Sequence, residues 1–374
     1  MKVIFVSCDP GGTNCLIPIY MQLCDTYSCS YYSKGPSVHL LFEKGISFRQ
    51  LHSSESIDNE EYEIKKVIQT EEPDLIITGT SSDDFVERLT WRIAREKGIK
   101  TICILDAWCG YIVRFSDYTM LSHHKFTKDD ITILPDYIVV PDDSAKNELL
   151  ELGVESKRIE AAGHPYLEFL RQNYDQIESE SIEKYKCNIG AGNRKIILYA
   201  SDNLSQYSEN GIPPWGFDER STFDMLEKSV LMTCNSYYDY FLIIRPHPKE
   251  DRNYWNARLK NAQLPIEAVV DSDSSSIIEI MSSDLVVGSF TMLLNEALIA
   301  GKKVISIQIN SKKKESFYAA DKGLLLPCYT EEDLERNMKS YFMDLDFGTR
   351  RLRFQNNAIK NICGIVKREL EKKA

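Results

Sequence analysis

Several familiar signatures are missing from these 374 residues. There is no Gly-x-Gly-x-x-Gly and no Gly-Lys-Ser/Thr, so both the dinucleotide fingerprint and the Walker A phosphate loop are absent. None of the ten cysteines forms a Cys-x-x-Cys pair, which removes the zinc ribbon; scattered thiols fit a reducing cytoplasm. No apolar run approaches the roughly 18 residues that a membrane helix needs. Met1-Lys-Val-Ile-Phe-Val-Ser7 runs straight into a strand and lacks the pattern of a secretory h-region. Positive charge is in short supply. The 45 Lys and Arg face 56 Asp and Glu, a net charge of −11, which excludes a broad nucleic-acid-binding face but not a local phosphate pocket. No Asp-x-Asp metal motif is well placed: Asp271-Ser-Asp273 comes nearest and reads as a loop cap. No metal is expected, and no internal repeat or low-complexity tract breaks the chain.

What is present is globular, at 43% hydrophobic and 27% charged residues, and too long for one ordinary core, so two domains are expected. The first half alternates strand and helix. Residues 3–6, 38–42, 73–80, 101–105 and 136–141 read as strands; 16–23, 64–69, 85–96 and 144–152 read as helices. That pattern is a doubly wound α/β domain, whose ligands bind beyond the carboxyl ends of its strands. The rule draws attention to Asp9, Gly11, Gly12, Thr80 and Asp106. Gly11-Gly12 lies between the first strand and first helix, where glycines allow close backbone approach to a ligand or simply a tight turn. Asp106-Ala-Trp-Cys-Gly-Tyr-Ile-Val-Arg114 sets an acid, two aromatics and a guanidinium just past a strand. Asp106 is a candidate general base on an acceptor hydroxyl; the competing reading is an Asp106–Arg114 ion pair beside a packed tryptophan. His123 and His124 lie in a polar loop and read as surface residues.

The pattern restarts at Lys195. Strand 195–200 ends in the polar turn Ser201-Asp-Asn203, and a long loop, 205–222, carries Pro213, Pro214 and Trp215; long loops in compact domains are often lids or binding loops. The strand ending in Arg245-Pro-His-Pro-Lys249 holds Arg245 and His247 on a proline-stiffened turn suited to phosphate. The stretch 285–307 reads as strand, turn, helix, strand, with Ser289 and Thr291 at the helix N-terminus, a natural anion site, and Glu296 about one and a half turns in, placed to accept from ribose hydroxyls. Segment 324–328 reads as a last short strand, Thr330-Glu-Glu-Asp333 as a capping box, and the basic segment 350–373 as an amphipathic helix. The expected domains are residues 1–165 on the acceptor side, a linker helix over 166–193, a nucleotide-binding α/β domain over 194–350, and a C-terminal helix over 351–374.

The two α/β halves, the Gly-Gly turn, the Gly163-His-Pro165 joint, Arg245-Pro-His-Pro248 and Ser289-Phe-Thr291 with Glu296 and Gly301-Lys-Lys-Val304 resemble the GT-B superfamily. The resemblance is to the group that holds UDP-N-acetylglucosamine 2-epimerases and teichoic-acid and capsule polysaccharide transferases. It covers nearly the whole chain through short motifs. It implies two Rossmann-like domains facing across a cleft. It further implies a glycosyltransferase that moves a sugar from a nucleotide-activated donor, as substrate and with no cofactor, to a glycan, lipid-linked or small-molecule acceptor in surface polysaccharide synthesis. On this reading Asp106, Asp9 and His247 are the catalytic candidates, and Gly11, Gly12, Thr13, Ser201, Arg245, Ser289, Thr291 and Glu296 bind the nucleotide-sugar. A cytoplasmic protein is expected, with no nucleic acid, at most peripheral membrane contact through the C-terminal helix, and a homodimer as a candidate assembly. Two departures weigh against an epimerase: Asp9-Pro-Gly-Gly-Thr-Asn14 replaces the usual Thr-Gly-Thr-Arg-Pro-Glu type start, and Gly288-Ser-Phe-Thr291 replaces a Ser-Gly-Gly turn. The alternatives carried forward are a UDP-sugar 2-epimerase or hydrolase of the same fold, and a non-catalytic sugar-nucleotide-binding protein.

Overall fold

The computed structural model describes residues 1–52, 57–312, 317–345, 349–352 and 357–373. The chain divides into two compact units, Met1–Phe169 with Phe354–Ala374, and Leu170–Arg353.

The first unit is built on a seven-stranded parallel sheet in the order β3-β2-β1-β4-β5-β6-β7. Its strands are β1 (Lys2–Ser7), β2 (Ser28–Ser33), β3 (Arg49–Gln50), β4 (Leu75–Thr78), β5 (Lys100–Ile104), β6 (Tyr137–Val140) and β7 (Ile159–Ala161). The connecting helices are α1 (Pro10–Cys24), α2 (Ser37–Glu43), α3 (Ile57–Glu71), α4 (Val86–Glu96), the single turn α5 (Tyr111–Arg114) and α6 (Asp143–Glu151); α7 (Pro165–Tyr174) starts in this unit and ends in the second. Continuous apolar runs make β1, β4, β5 and β6 because central parallel strands are covered on both faces; Val3, Ile4, Phe5, Ile76, Ile77, Ile102, Ile138 and Val139 are all fully buried.

One strand assignment is corrected here. Residues 38–42, expected as the second strand, form helix α2. Gly35-Pro36 turns the chain, and only Leu41 of its apolar residues goes fully inside. The true second strand is β2, Ser-Cys-Ser-Tyr-Tyr-Ser, which has no aliphatic residue. It stays interior because its hydroxyls find partners: Tyr31 with the Ser7 hydroxyl at 3.0 Å, Ser33 with the Ser7 carbonyl at 3.0 Å, and Tyr32 with Glu71.

The second unit has a five-stranded parallel sheet in the order β10-β9-β8-β11-β12. Its strands are β8 (Lys195–Ala200), β9 (Tyr240–Arg245), β10 (Glu267–Val270), β11 (Leu285–Gly288) and β12 (Lys303–Ser306). Its helices are α8 (Ser179–Asn188), α9 (Glu219–Thr233), α10 (Arg252–Lys260), α11 (Ser276–Ser282), α12 (Met292–Ile299), α13 (Tyr318–Asp321) and α14 (Glu331–Phe342). The segment 166–193 is two helices, α7 and α8, with a break at 175–178. Residues 324–328 supply only an isolated bridge, Ile307 to Cys328, and no strand. Thr330 caps α14 by accepting from the Asp333 N–H at 3.1 Å, which is one half of the expected capping box.

The last helix, α15 (Ala358–Glu371), returns to the first unit and packs on α1. Gly163 makes that return possible. Its φ is +101°, and a Cβ there would stand 2.6 Å from the Cβ of Ala358. Glu168 accepts from the N–H groups of Asn357 and Ile359, fastening the start of α15.

Candidate functional site

Both sheets reverse their strand order once, between β1 and β4 in the first unit and between β8 and β11 in the second. Loops leaving such neighbours run in opposite directions and open a crevice at the carboxyl edge, the general ligand position of doubly wound sheets. The first crevice is bordered by 8–12 and 79–81, the second by 201–203 and 289–291. Most of the residues singled out from sequence fall on these four turns.

At the first crevice the glycines serve the protein's own packing. A Cβ on Gly12 would lie 3.1 Å from the Gly79 Cα, and one on Gly11 would lie 2.0 Å from Asp106 Oδ2. Bare backbone therefore lets the N-terminus of α1 approach β4 and the Asp106 carboxylate. Thr13 is fully buried; its hydroxyl meets Ser7 Oγ at 2.7 Å, the Asp9 carbonyl at 3.0 Å and Ser37 Oγ. Asp106 Oδ1 accepts from Arg114 Nη1 at 2.9 Å and Thr80 Oγ1 at 3.2 Å, and Nη1 also reaches Thr80 Oγ1 at 2.7 Å. Burial opposes the Arg114 charge, but Asp106 and the acids around it outweigh that and hold the guanidinium above its ordinary pKa. So Asp106 and Arg114 form a buried ion pair. Asp9 is half-buried and accepts from the Ser81 hydroxyl.

Two residues of this edge were not among the candidate site residues read from sequence. Glu87, on α4, is 1% exposed, accepts from the Cys8 N–H at 3.1 Å, and leaves Oε2 buried with no hydrogen-bond partner. Burial, then the charges of Asp84 and Asp9, push its carboxyl up to about 8, so it carries a proton at neutral pH. His164 is buried, and burial pushes its imidazolium down to about 4. Its Nε2–H donates to the Asp106 carbonyl at 3.1 Å, which fixes the tautomer, and its ring stacks on Trp108 at 5.2 Å. Trp108 Nε1–H donates in turn to Asp142 at 3.0 Å. The Gly163-His-Pro165 joint thus reaches into the segment that holds Asp106.

At the second crevice Ser289 and Thr291 stand at the start of α12, as expected. Gly288 sits so close to β8 that a Cβ would be 2.8 Å from the Ala200 carbonyl oxygen. The Ser289 hydroxyl lies 3.2 Å from that of Thr222, and Thr291 accepts from the Leu293 N–H at 3.4 Å, a long cap bond. The unforeseen residue is Asp202. Its Oδ2 accepts from the Ser289 N–H at 3.0 Å, and the Phe290 N–H and Ser289 hydroxyl reach the same carboxyl. A carboxylate of the chain itself therefore lies on the anion position of this turn. Burial raises its pKa, those donors oppose the rise, and the balance is about 7. The loop expected as a binding loop covers the turn with aromatic rings: Trp215 lies 5.7 Å from Tyr207 and 5.8 Å from Phe290, and Phe217 lies 5.9 Å from Phe290.

Arg245, Ser201 and His247 end up differently placed. Arg245 Nη1 donates to Glu279 Oε2 at 2.6 Å and to the Ser274 carbonyl at 2.9 Å, so the guanidinium clamps α11 to the end of β9. Burial raises the Glu279 carboxyl to about 8, although Arg245 pulls against that rise. Ser201 Oγ donates to Glu250 at 2.9 Å, and Glu250 also takes the His247 N–H and the Trp255 Nε1–H at 3.0 Å. His247 Nδ1 accepts from the Lys249 N–H at 3.2 Å, which makes Nε2 the nitrogen that carries the proton in the neutral ring. Glu296 is 6% exposed. Among the described residues no cluster of three or more His, Cys, Asp or Glu is arranged to hold a metal ion, and no helix is long and apolar enough to cross a membrane.

No protein-family model matches the chain, and no curated protein does either. Solved structures do. UDP-GlcNAc 2-epimerase from Neisseria meningitidis, bound to UDP-GlcNAc, aligns with a TM-score of 0.71 at 14% identity over 98% of this chain and 100% of that one. HepE from Anabaena, in complex with UDP and glucose, gives 0.61 at 16% identity over 99% and 95%. A glycosyltransferase from Rickettsia africae gives 0.58 at 15% identity over 99% and 93%. Alignments of this extent and identity establish the fold: two Rossmann-like domains in the GT-B order.

Proposed function

We propose that this chain acts on a nucleotide-activated sugar and transfers the sugar to an acceptor. The observation that carries the reading is the second crevice: a hydroxyl-bearing turn at the N-terminus of α12, Glu296 further along that helix, and aromatic rings packed on Phe290 of the turn. Solved proteins that align over nearly the whole chain hold UDP or UDP-GlcNAc, which supports the same ligand class here. In this scheme Ser289, Thr291 and the N–H groups of the turn take the diphosphate, with His247 Nε2–H as a further donor, and Glu296 takes the ribose. The developing charge on the departing diphosphate is what these donors stabilise. Arg245 serves by holding the β9 turn against α11, since its guanidinium is already engaged by Glu279. Of the two acids considered for the acceptor hydroxyl, Asp9 is the better placed, because Asp106 is committed to Arg114.

Tryptophan fluorescence tests the reading. Trp91, Trp108 and Trp255 are buried, whereas Trp215 is half-buried beside the proposed site. Titration with UDP, CDP, GDP and their sugar conjugates should give a saturable change that the Trp215→Phe variant lacks. Silence toward every nucleotide would sink the reading. A second reading, epimerisation or hydrolysis without an acceptor, is favoured by a second carboxyl at the edge that carries Asp9, the buried Glu87, which burial raises to about 8. Incubation with UDP-GlcNAc alone separates the two: product without acceptor favours the second.

A further inference from the structure

The second unit has a cavity at the sheet edge opposite its crevice. Lys195 opens β8 and Tyr240 opens β9, and both line a space of about 540 Å³, within the size range of small-molecule sites. The crevice begins at Ser201, six residues further along the chain from Lys195, so about 20 Å separates the two. The cavity's base is firmly built: the Tyr240 ring meets Phe342 edge-on at 4.7 Å, and its hydroxyl donates to the Phe342 carbonyl at 3.3 Å. The cations of the cavity are taken up within the protein. Arg194 donates to Glu267 at 2.8 Å and to the Ala191 carbonyl at 2.9 Å, and Lys195 donates to both Asp344 oxygens at 2.7 Å. The neutral polar groups are not taken up. Among the described residues, the carboxamides of Asn193 and Asn235 and the hydroxyls of Ser236 and Tyr238 line the cavity without a hydrogen-bond partner from the chain. Tyr238 is also the most exposed of the large apolar side chains described, at 90%.

These groups define a ligand. Carboxamides and hydroxyls offer donors and acceptors together, which suits a molecule with many hydroxyls. An aromatic face is negative at its centre and attracts the C–H groups on the apolar face of a pyranose ring. With both cations paired, and Asp239 beside them to repel an anion, a neutral molecule fits better than a phosphate or a uronate. We propose that this cavity is a saccharide-binding site, in which one pyranose of a neutral oligosaccharide stacks on Tyr238 while Asn193 and Asn235 hold its hydroxyls. The site is separate from the nucleotide crevice and does not rest on the reading of that crevice.

The test uses the full chain with cellotetraose, maltotetraose and chitotetraose as neutral probes and tetragalacturonate as an anionic one. Saturation-transfer NMR should show a neutral probe bound through the C–H protons of one ring face, and calorimetric titration gives its affinity. Tyr238→Ala should weaken that probe about 3–10-fold, the loss of one stacking contact, and Tyr238→Phe, which keeps the ring, should weaken it less. Asn235→Ala should cost about 3–10-fold, the loss of one neutral hydrogen bond. The exposed position of Tyr238 predicts an unchanged melting temperature in Tyr238→Ala. Saturating UDP should not displace the saccharide. Displacement by UDP puts the sugar in the crevice and overturns the proposal, as does a Tyr238→Ala variant that binds like the parent. Preference for tetragalacturonate overturns it too. Silence toward all the probes overturns it outright; a parent dimer that Tyr238→Ala then dissociates makes this face a contact between two copies of the chain. A parent that binds a neutral probe but no nucleotide supports this site and overturns the nucleotide-sugar reading alone.

Discussion

At the crevice beside β1 and β4 a guanidinium neutralises the buried acid; at the crevice beside β8 and β11 backbone N–H groups do so. The two crevices share one topology. Their electrostatics differ because a full positive charge stands 2.9 Å from Asp106, while partial charges on Ser289 and Phe290 only partly offset the burial of Asp202. The first crevice is consequently anchored by a fixed charge. The second is held by a group that titrates near neutrality and that occupies the position a phosphate would take, so a diphosphate arriving there competes with Asp202.

The sharpest way to break this comparison is to remove the guanidinium. Arg114→Met leaves Asp106 buried without a counter-charge, and unpairing a buried ion costs about 3–5 kcal/mol. Urea unfolding should show a loss of that size. Asp202→Asn keeps a carbonyl oxygen on the same N–H groups and should move stability by less than about 1 kcal/mol at pH 4, where Asp202 is neutral in the folded chain and about half neutral in the unfolded one. Similar losses in the two variants would show that the crevices are held alike.

A smaller effect follows from pH. The Asp202 carboxyl stands at about 7 in the folded chain against an ordinary 3.8. Between those values the native state keeps a proton that the unfolded chain has released. Stability from this group is therefore fully present below the lower value, falls as pH rises, and levels off above about 7. Asp202→Asn should flatten that part of the curve and be more stable than the parent at pH 8, by roughly 1–3 kcal/mol. Glu87, raised from 4.5 to about 8, slopes in the same direction over a slightly higher window, so Glu87→Gln must be combined with Asp202→Asn to separate the two. Arg114→Met should leave the Asp202 window unchanged. A parent whose stability is flat from pH 4 to 8 contradicts the account of both carboxyls.

The parts of this fold that are legible from sequence are those where one residue type answers one environment. The apolar runs of β1, β4, β5, β8, β9 and β11 announce buried parallel strands, and the turns after them lead to the crevices. Strand β2 is hidden because its hydroxyls replace aliphatic groups, and they are tolerable inside only through Ser7 and Glu71, which no local pattern reveals. Partners distant in the chain account for the rest. Arg245 looks like a phosphate ligand until Glu279, 34 residues later, is found on it. Thr13 looks like a ligand residue until Ser7 and Ser37 enclose its hydroxyl. Asp202 sits in an unremarkable Ser-Asp-Asn turn and becomes important only when β11 is laid beside β8.

The smallest effect on stability is expected at the cap of α12, and it sharpens the contrast between the crevices. In the first unit Asp142 caps α6 firmly: its carboxylate accepts from the Ala145 N–H at 3.0 Å and from Trp108 Nε1–H at 3.0 Å, the ring that stacks on His164. Asp142→Ala removes a good cap and the Trp108 anchor, so it should cost about 1–2 kcal/mol. In the second unit Thr291 accepts from Leu293 at 3.4 Å, near the outer limit of a hydrogen bond, and the two N–H groups just before it are held by Asp202 instead. Thr291→Val should therefore cost roughly 0.5 kcal/mol or less in unfolding experiments. A hydroxyl that contributes so little to the helix is available to a ligand. The same variant should weaken a nucleoside diphosphate roughly tenfold, as loss of a bond to a charged group does, while leaving the free nucleoside unaffected. Calorimetric titration of both ligands, set beside the unfolding curve, decides between the roles. A variant that loses stability like Asp142→Ala yet binds the diphosphate normally makes Thr291 a cap and nothing more, and moves the phosphate position away from α12.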